Sequence, residues 1–172
     1  MCDASEKRDD RTAGELTFVE ILSTLDKQPT ELGFDETIVF FNDCDKFEYR
    51  KPNQLIDTRS GVICSPNNFQ YDEPLDEGMI RVTALANYDL WNALPKEEYY
   101  RQKELLYDRI VESSCRFIPE YKESIVSTDM FTPTTIRHFT GHANGTVYGC
   151  PQKQFDGKTH LENLFICGTD QG

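Results

Sequence analysis

Two histidines stand four residues apart, His138 and His142. On a helix this spacing puts both imidazoles on one face, as zinc sites use. Gly141 and the Asn144-Gly145 pair argue against a regular helix there. No acidic or cysteine partner falls at ligand spacing, so both histidines are expected to make ordinary hydrogen bonds. The six cysteines, at 2, 44, 64, 115, 150 and 167, form no CxxC pair. Their scatter points to reduced, partly buried thiols rather than a disulfide framework. There is no GxGxxG, no GxG, no GxxxxGK[ST] phosphate loop and no GxSxG nucleophile elbow.

The end of the chain carries more chemistry. Asn163–Gly168 (NLFICG) reads as a short, fully buried strand that feeds into Thr169-Asp170-Gln171-Gly172. In doubly wound sheets, ligands bind beyond the carboxyl ends of strands. A glycine there lets backbone N–H groups approach a phosphate or a flavin edge, and Thr or Asp can bond a ribityl or ribose hydroxyl. A buried strand and an ordinary turn would look the same, so this signal is weak by itself.

The elements that must position these residues follow from periodicity. Leu16–Leu25 fits either a helical face (Phe18, Ile21, Leu22, Leu25) or a buried strand. Thr37–Asn42, Val62–Ser65 and Met79–Ala86 read as strands. The connection Ser65–Gly78 is rich in turn signals. A helix is expected from about Lys96 to Phe117, opened by Pro95, Glu97 and Glu98 and stopped by Pro119. Its stripe is Tyr99, Leu106, Ile110 and Phe117, flanked by Tyr100, Tyr107, Val111 and Ile118. Thr132 is placed to cap a short helix with Pro133 in its first turn. Glycines at 141, 145 and 149 then suit neither a long helix nor an ordinary strand, and Asp156-Gly157 is a further turn.

The 172 residues suffice for a core that buries roughly 70% of the unfolded surface. The stretch 1–13 is expected to be a disordered, charged leader. A net charge of −12 opposes nucleic-acid binding and docking on anionic lipid through a basic patch. No signal-peptide pattern and no apolar run long enough to span a bilayer is present, so a cytoplasmic chain is expected. The Asn144-Gly145-Thr146 sequon then carries little weight.

Thr132–Gly172 (TPTTIRHFTGHANGTVYGCPQKQFDGKTHLENLFICGTDQG) resembles the C-terminal part of the phytoene desaturase and carotenoid isomerase family, among the FAD-dependent amine-oxidase-like enzymes. The resemblance lies in the Thr-Pro pair, in the glycine turn Gly145–Gly149 (GTVYG), and in the Asn-Leu-aromatic-apolar segment ending in Gly168. Ser60–Trp91 resembles, less specifically, the family's substrate-domain strands, and the likeness covers most of residues 14–172.

The resemblance implies an α+β fold: a mixed substrate-domain sheet with one long helix (14–137), then a C-terminal strand of an FAD-binding, Rossmann-like sheet (138–172). It implies FAD contacts at Gly168, Thr169 and Asp170, with Gly145 as the backbone approach to the isoalloxazine. The substrate would be a long apolar polyene, carotenoid- or retinoid-like, undergoing desaturation, saturation or isomerisation. The family's dinucleotide fingerprint and the glycine-rich remainder of its flavin loop are missing. A truncated oxidoreductase, inactive alone and unable to hold FAD, is therefore expected. No residue stands out as a catalytic acid or base. The alternatives are a non-enzymatic interaction domain and a fragment of a flavin amine oxidase. The latter would line its flavin with an aromatic cage, toward which the turn region offers only Tyr148.

Overall fold

Alternation along Thr17–Leu25 is complete: every second side chain is buried, and the strand β1 forms rather than a helix. Its β-branched and aromatic content favours the strand, and the residues between the buried ones stay half-exposed on the sheet's second face. In the computed structural model, which describes residues 12–73 and 75–171, β1 is followed by β2 (Ile38–Asn42), β3 (Ile56–Cys64), β4 (Gly78–Ala86) and β5 (Ile125–Phe131). The strands form one sheet in the order β2-β3-β4-β1-β5. The expected leader lies almost wholly outside the described residues.

The fold is α+β. The sheet is antiparallel at every pairing, which corrects the expectation of a mixed sheet. The physical reason lies in the connections. Loops return β2 to β3 and β3 to β4 as antiparallel neighbours, and the chain that leaves the long helix re-enters beside β1 in the opposite sense. β5 was not foreseen, although Ile125, Val126 and Thr128 are β-branched. It is a sheet edge with most side chains exposed, so no alternation marks it.

Among the described residues, three α-helices complete the fold, besides short 3-10 turns: α1 (Tyr88–Asn92), α2 (Lys96–Ser114) and α3 (Pro133–Thr140). Asn87 caps α1 by accepting the Leu90 N–H, and Thr132 caps α3 by accepting from Thr135, with Pro133 in the first turn. The expected α2 is present but stops at Ser114. It buries Leu106, Ile110 and Val111, while Tyr100 and Phe117 stay exposed. These residues pack with Trp91, Ile118 and Tyr121 against Val19, Ile21 and Leu25 of β1, and against Ile80, Val82 and Ala84 of β4.

Among the described residues, no helix covers the second face of the sheet. By register it carries Ile38 and Phe40 of β2, Val62 and Cys64 of β3, Met79, Arg81 and Thr83 of β4, Phe18, Glu20 and Leu22 of β1, and Phe131 of β5. Phe40 is 80% exposed. An Arg81–Glu20 ion pair crosses the middle of this face.

Residues 141–171 add no strand to the sheet. Asn163–Gly168, expected as a fully buried strand, instead makes one isolated bridge, Phe165 to Lys158, and leaves Phe165 64% and Leu164 51% exposed. Apolar composition favours extended structure, but a strand needs neighbours to pair and pack with. Among the described residues it finds only 157–159, where the Ile166 N–H donates to the Gly157 carbonyl and the Thr159 N–H to the Leu164 carbonyl.

Candidate functional site

β1 and β3 begin, and β2, β4 and β5 end, at one edge of the molecule. The glycine turn is anchored here. Thr17 donates to the Gly145 carbonyl at 2.6 Å, Asn144 donates to the Gly14 carbonyl at 3.0 Å, and the Val147 N–H meets the Leu16 carbonyl. The turn thus wraps round the start of β1. Gly145 lies on the side of α1 and α3, and Tyr148 emerges on the open face, edge-on to Phe18 at 5.6 Å.

Two glycines make this wrapping possible. Gly145 has φ +57°, and a Cβ there would sit 2.1 Å from the Pro133 carbonyl oxygen. A Cβ on Gly14 would sit 2.0 Å from the Gly149 carbonyl oxygen. The absence of a side chain at Gly145, a sequence candidate for close approach to a flavin, thus serves the protein's own packing against α3.

The other three candidates, Gly168, Thr169 and Asp170, lie together in the turn closed by the Gln171 N–H on the Gly168 carbonyl. Asp170 Oδ1 accepts the Cys150 N–H at 2.6 Å, and its carbonyl accepts the Gln154 N–H. Lys153 Nζ donates to the carbonyls of both Thr169 and Tyr148. The terminal turn is therefore stapled to the glycine turn, with Gly149 at the junction: a Cβ on Gly149 would meet Asp170 Oδ1 at 2.1 Å. Gly168 has φ +100° and nothing within 4 Å of its missing Cβ. Among the described residues, Asp170 Oδ2 and the N–H groups of Tyr148 and Gly149 have no partner.

Sequence reasoning missed the aromatic surroundings. Tyr49, from the loop between β2 and β3, approaches Tyr148 at 6.3 Å, and Phe47 follows Tyr49 at 6.1 Å. Partial burial, with Tyr148 alongside, pushes the Tyr49 hydroxyl above its usual range. The only sequence signal was the clustering of Phe47 and Tyr49 in a polar loop. Beneath the site, Tyr99 bonds Thr132 at 2.8 Å. Burial pushes the Tyr99 hydroxyl up, but the threonines 132, 134 and 135 together hold it below its usual value.

On the side of α2, a cleft of about 620 Å³ runs between Glu48 with residues 50–59 and Gln102, Leu106 and Arg109. Most of its charges are already paired: Arg50 with Glu48, Arg59 with Asp57 and Lys51 with Asp89. The Arg59 guanidinium holds the Asp57 carboxyl below the usual carboxylate range.

His138 lies in α3, whereas His142 lies beyond the Gly141 cap and faces the Thr146 carbonyl through Nδ1. The two do not share a helical face. Among the described residues, no group of three or more His, Cys, Asp or Glu side chains is placed to hold a metal ion. Cys44, Cys64, Cys115 and Cys150 are partly buried free thiols, and Cys167 is an exposed one. No described helix is long and apolar enough to cross a membrane. No known family model matches the chain, and no curated protein matches it either.

Proposed function

We propose that this chain is part of an FAD-dependent oxidoreductase of the phytoene desaturase and carotenoid isomerase type, working in the cytoplasm on a long apolar polyene. The observation that carries this reading is the half-covered sheet. One face is packed by α1 and α2, and the other, as far as the described residues go, carries Phe18, Leu22, Phe40, Val62 and Met79 around the Arg81–Glu20 ion pair, apolar surface along which an extended hydrocarbon could lie. The glycine turn bends onto this face, so a cofactor held by the terminal loops would meet a substrate lying along it.

The residues of those loops offer groups that FAD could use. Among the described residues Asp170 Oδ2 has no partner and could accept from a ribityl hydroxyl, and the Tyr148 and Gly149 N–H groups could meet a flavin edge. Lys153 brings a positive charge beside Thr169, where a pyrophosphate would need one. When bound, the flavin supplies the hydride chemistry. The chain's own part is to orient the polyene and exclude water. In this reading Leu161, Leu164 and Phe165, exposed here, pack within a larger, Rossmann-like flavin-binding body, and the chain alone is inactive.

A second reading, part of a flavin amine oxidase, draws on Tyr49, which gives Tyr148 an aromatic neighbour. The test uses the gene product purified with its flanking sequence and loaded with FAD. Anaerobic mixing with a conjugated polyene should perturb the flavin spectrum, whereas a polar amine should not. A response to the amine alone would favour the second reading, and a response to neither would overturn both.

A further inference from the structure

The cleft beside α2 has walls that the fold already holds in place. One wall is the chain leading into β3. Its entry is tied to α1: Asn87 Nδ2 donates to the Pro52 carbonyl at 2.8 Å, and the Asn87 N–H and Trp91 Nε1 both donate to the Leu55 carbonyl. Its exit is a bulge, in which residues 57–60 lie opposite Leu85 alone. Ser113 Oγ, near the end of α2, donates to the Thr58 carbonyl at 2.5 Å and fixes the bulge. The facing wall is one stripe of α2: Gln102, Leu106 and Arg109. The volume of about 620 Å³ is that of a small-molecule site, and walls ordered before binding lose little free energy when a ligand enters.

The lining carries Arg50, Lys51, Arg59 and Arg109 against Glu48 and Asp57, a local positive excess in a chain of net charge −12. Arg50 is held by Glu48, Arg59 by Asp57, and Lys51 by Asp89, with Glu15 also near Lys51. At the rim, Glu98 is held by Arg101 and Gln102, and Asp43 by Arg116. Asp45 and Lys46 stand earlier in the same loop. Arg109 differs from the other lining cations. Among the described residues it makes neither an ion pair nor a side-chain hydrogen bond, although Asp108 and Glu112 neighbour it in α2.

One uncommitted guanidinium selects the ligand's charge. Its planar fork matches a carboxylate through two parallel hydrogen bonds. A polyanion needs more free cations than this lining has, and Asp108 and Glu112 oppose it. The rest of the cleft offers amide chemistry. Gln102 Nε2 is engaged by Glu98, which leaves its carbonyl oxygen to accept. The side chains of Asn53 and Gln54 and the N–H groups of residues 53–55 have no protein partner among the described residues. Buried Leu106 and half-buried Leu55 supply apolar surface.

We propose that this cleft binds a small organic monocarboxylate carrying an amide and an apolar group, the chemistry of an N-acyl amino acid, with Arg109 gripping the carboxylate. The site lies on the helix side of the sheet and rests on neither the flavin nor the polyene reading.

The experiment titrates the nitrogen-15-labelled 172-residue chain with N-acetyl-leucine and follows the backbone amide resonances. Saturable shifts are expected along residues 50–59 and 102–109. N-acetyl-leucinamide, which lacks the carboxylate, and acetate, which lacks the rest, should each bind at least about tenfold more weakly. Arg109→Gln should weaken N-acetyl-leucine by about 10- to 100-fold, the worth of a hydrogen bond to a charged group. Arg109→Lys keeps the charge but not the fork and should fall between. Lys122→Gln makes the same change of net charge at an exposed position outside the cleft and should alter nothing. Unchanged resonances away from the cleft verify that the Arg109 variants are folded. Four results would overturn the inference: no saturable shift along those two segments, equal affinity for the uncharged amide, tighter binding of pyrophosphate than of N-acetyl-leucine, or equal weakening by Lys122→Gln.

Discussion

Replacing Gly145 by alanine tests whether the glycine turn is a structural part of this chain. Two costs add. A non-glycine residue held at φ +57° loses about 1–2 kcal/mol. The new Cβ would also lie 2.1 Å from the Pro133 carbonyl oxygen, so the turn must move away from α3 and loosen the buried Thr17 bond, costing about 1 kcal/mol more. The total of about 2–3 kcal/mol corresponds to a fall in melting temperature of about 4–12 °C for a chain of this size. Gly141 is the control. Its φ of +73° imposes the same backbone cost, but nothing lies within 4 Å of its Cβ position. Gly141→Ala should therefore retain about 1 kcal/mol that Gly145→Ala loses, a separation of about 2–4 °C. Thermal melts followed by circular dichroism, without any flavin, measure both. Equal melting temperatures for the two variants would refute the packing argument and return Gly145 to a role that only a ligand reveals.

Asp170→Ala removes the acceptor of the Cys150 N–H. In the longer, FAD-loaded protein it should also weaken FAD by about 10- to 100-fold, the worth of a hydrogen bond to a charged group. Asp170→Asn should fall between the two. An unchanged FAD dissociation constant beside a lowered melting temperature would confine Asp170 to holding its turn. Alkaline stability follows from Tyr121, whose hydroxyl is pushed well above its usual range by burial, against the opposing hydrogen bond with Ser114. Because the folded value lies above the unfolded one of about 10, this stabilisation is full below that pH and is lost as the pH rises further. Tyr121→Phe should flatten the decline in urea midpoint above about pH 10, and an unchanged slope would count against Tyr121 as its source.

The parts of this fold legible in the sequence are those whose side chains meet two different environments. Gly78–Ala86 and Ile38–Asn42 carry β-branched or aromatic residues bounded by turn signals, and Pro95 and Thr132 mark the starts of α2 and α3 by their local chemistry. β5 was not legible because an edge strand exposed on most of its length has no burial pattern to read. The segment Asn163–Gly168 was misread for a related reason. Its composition states that it is apolar but not what it will pair with, and here it meets only one bridge partner. Gly168, Thr169 and Asp170 fall in one turn because they are neighbours in sequence. Their staple to Gly149 and Cys150 depends on a return of the chain across some 20 residues, which no local motif announces. The same is true of Tyr49 beside Tyr148, which are brought together only by the sheet's shared edge.

The central proposal is that residues 141–171, as part of a longer protein, serve a flavin. The most direct measurement is the visible spectrum, after gel filtration, of the gene product purified with the sequence that flanks these 172 residues, compared with the 172-residue chain alone. The account predicts stoichiometric FAD retained by the longer protein and none by the chain alone. A longer protein that is folded by circular dichroism, takes up no FAD on addition and stays colourless would contradict it.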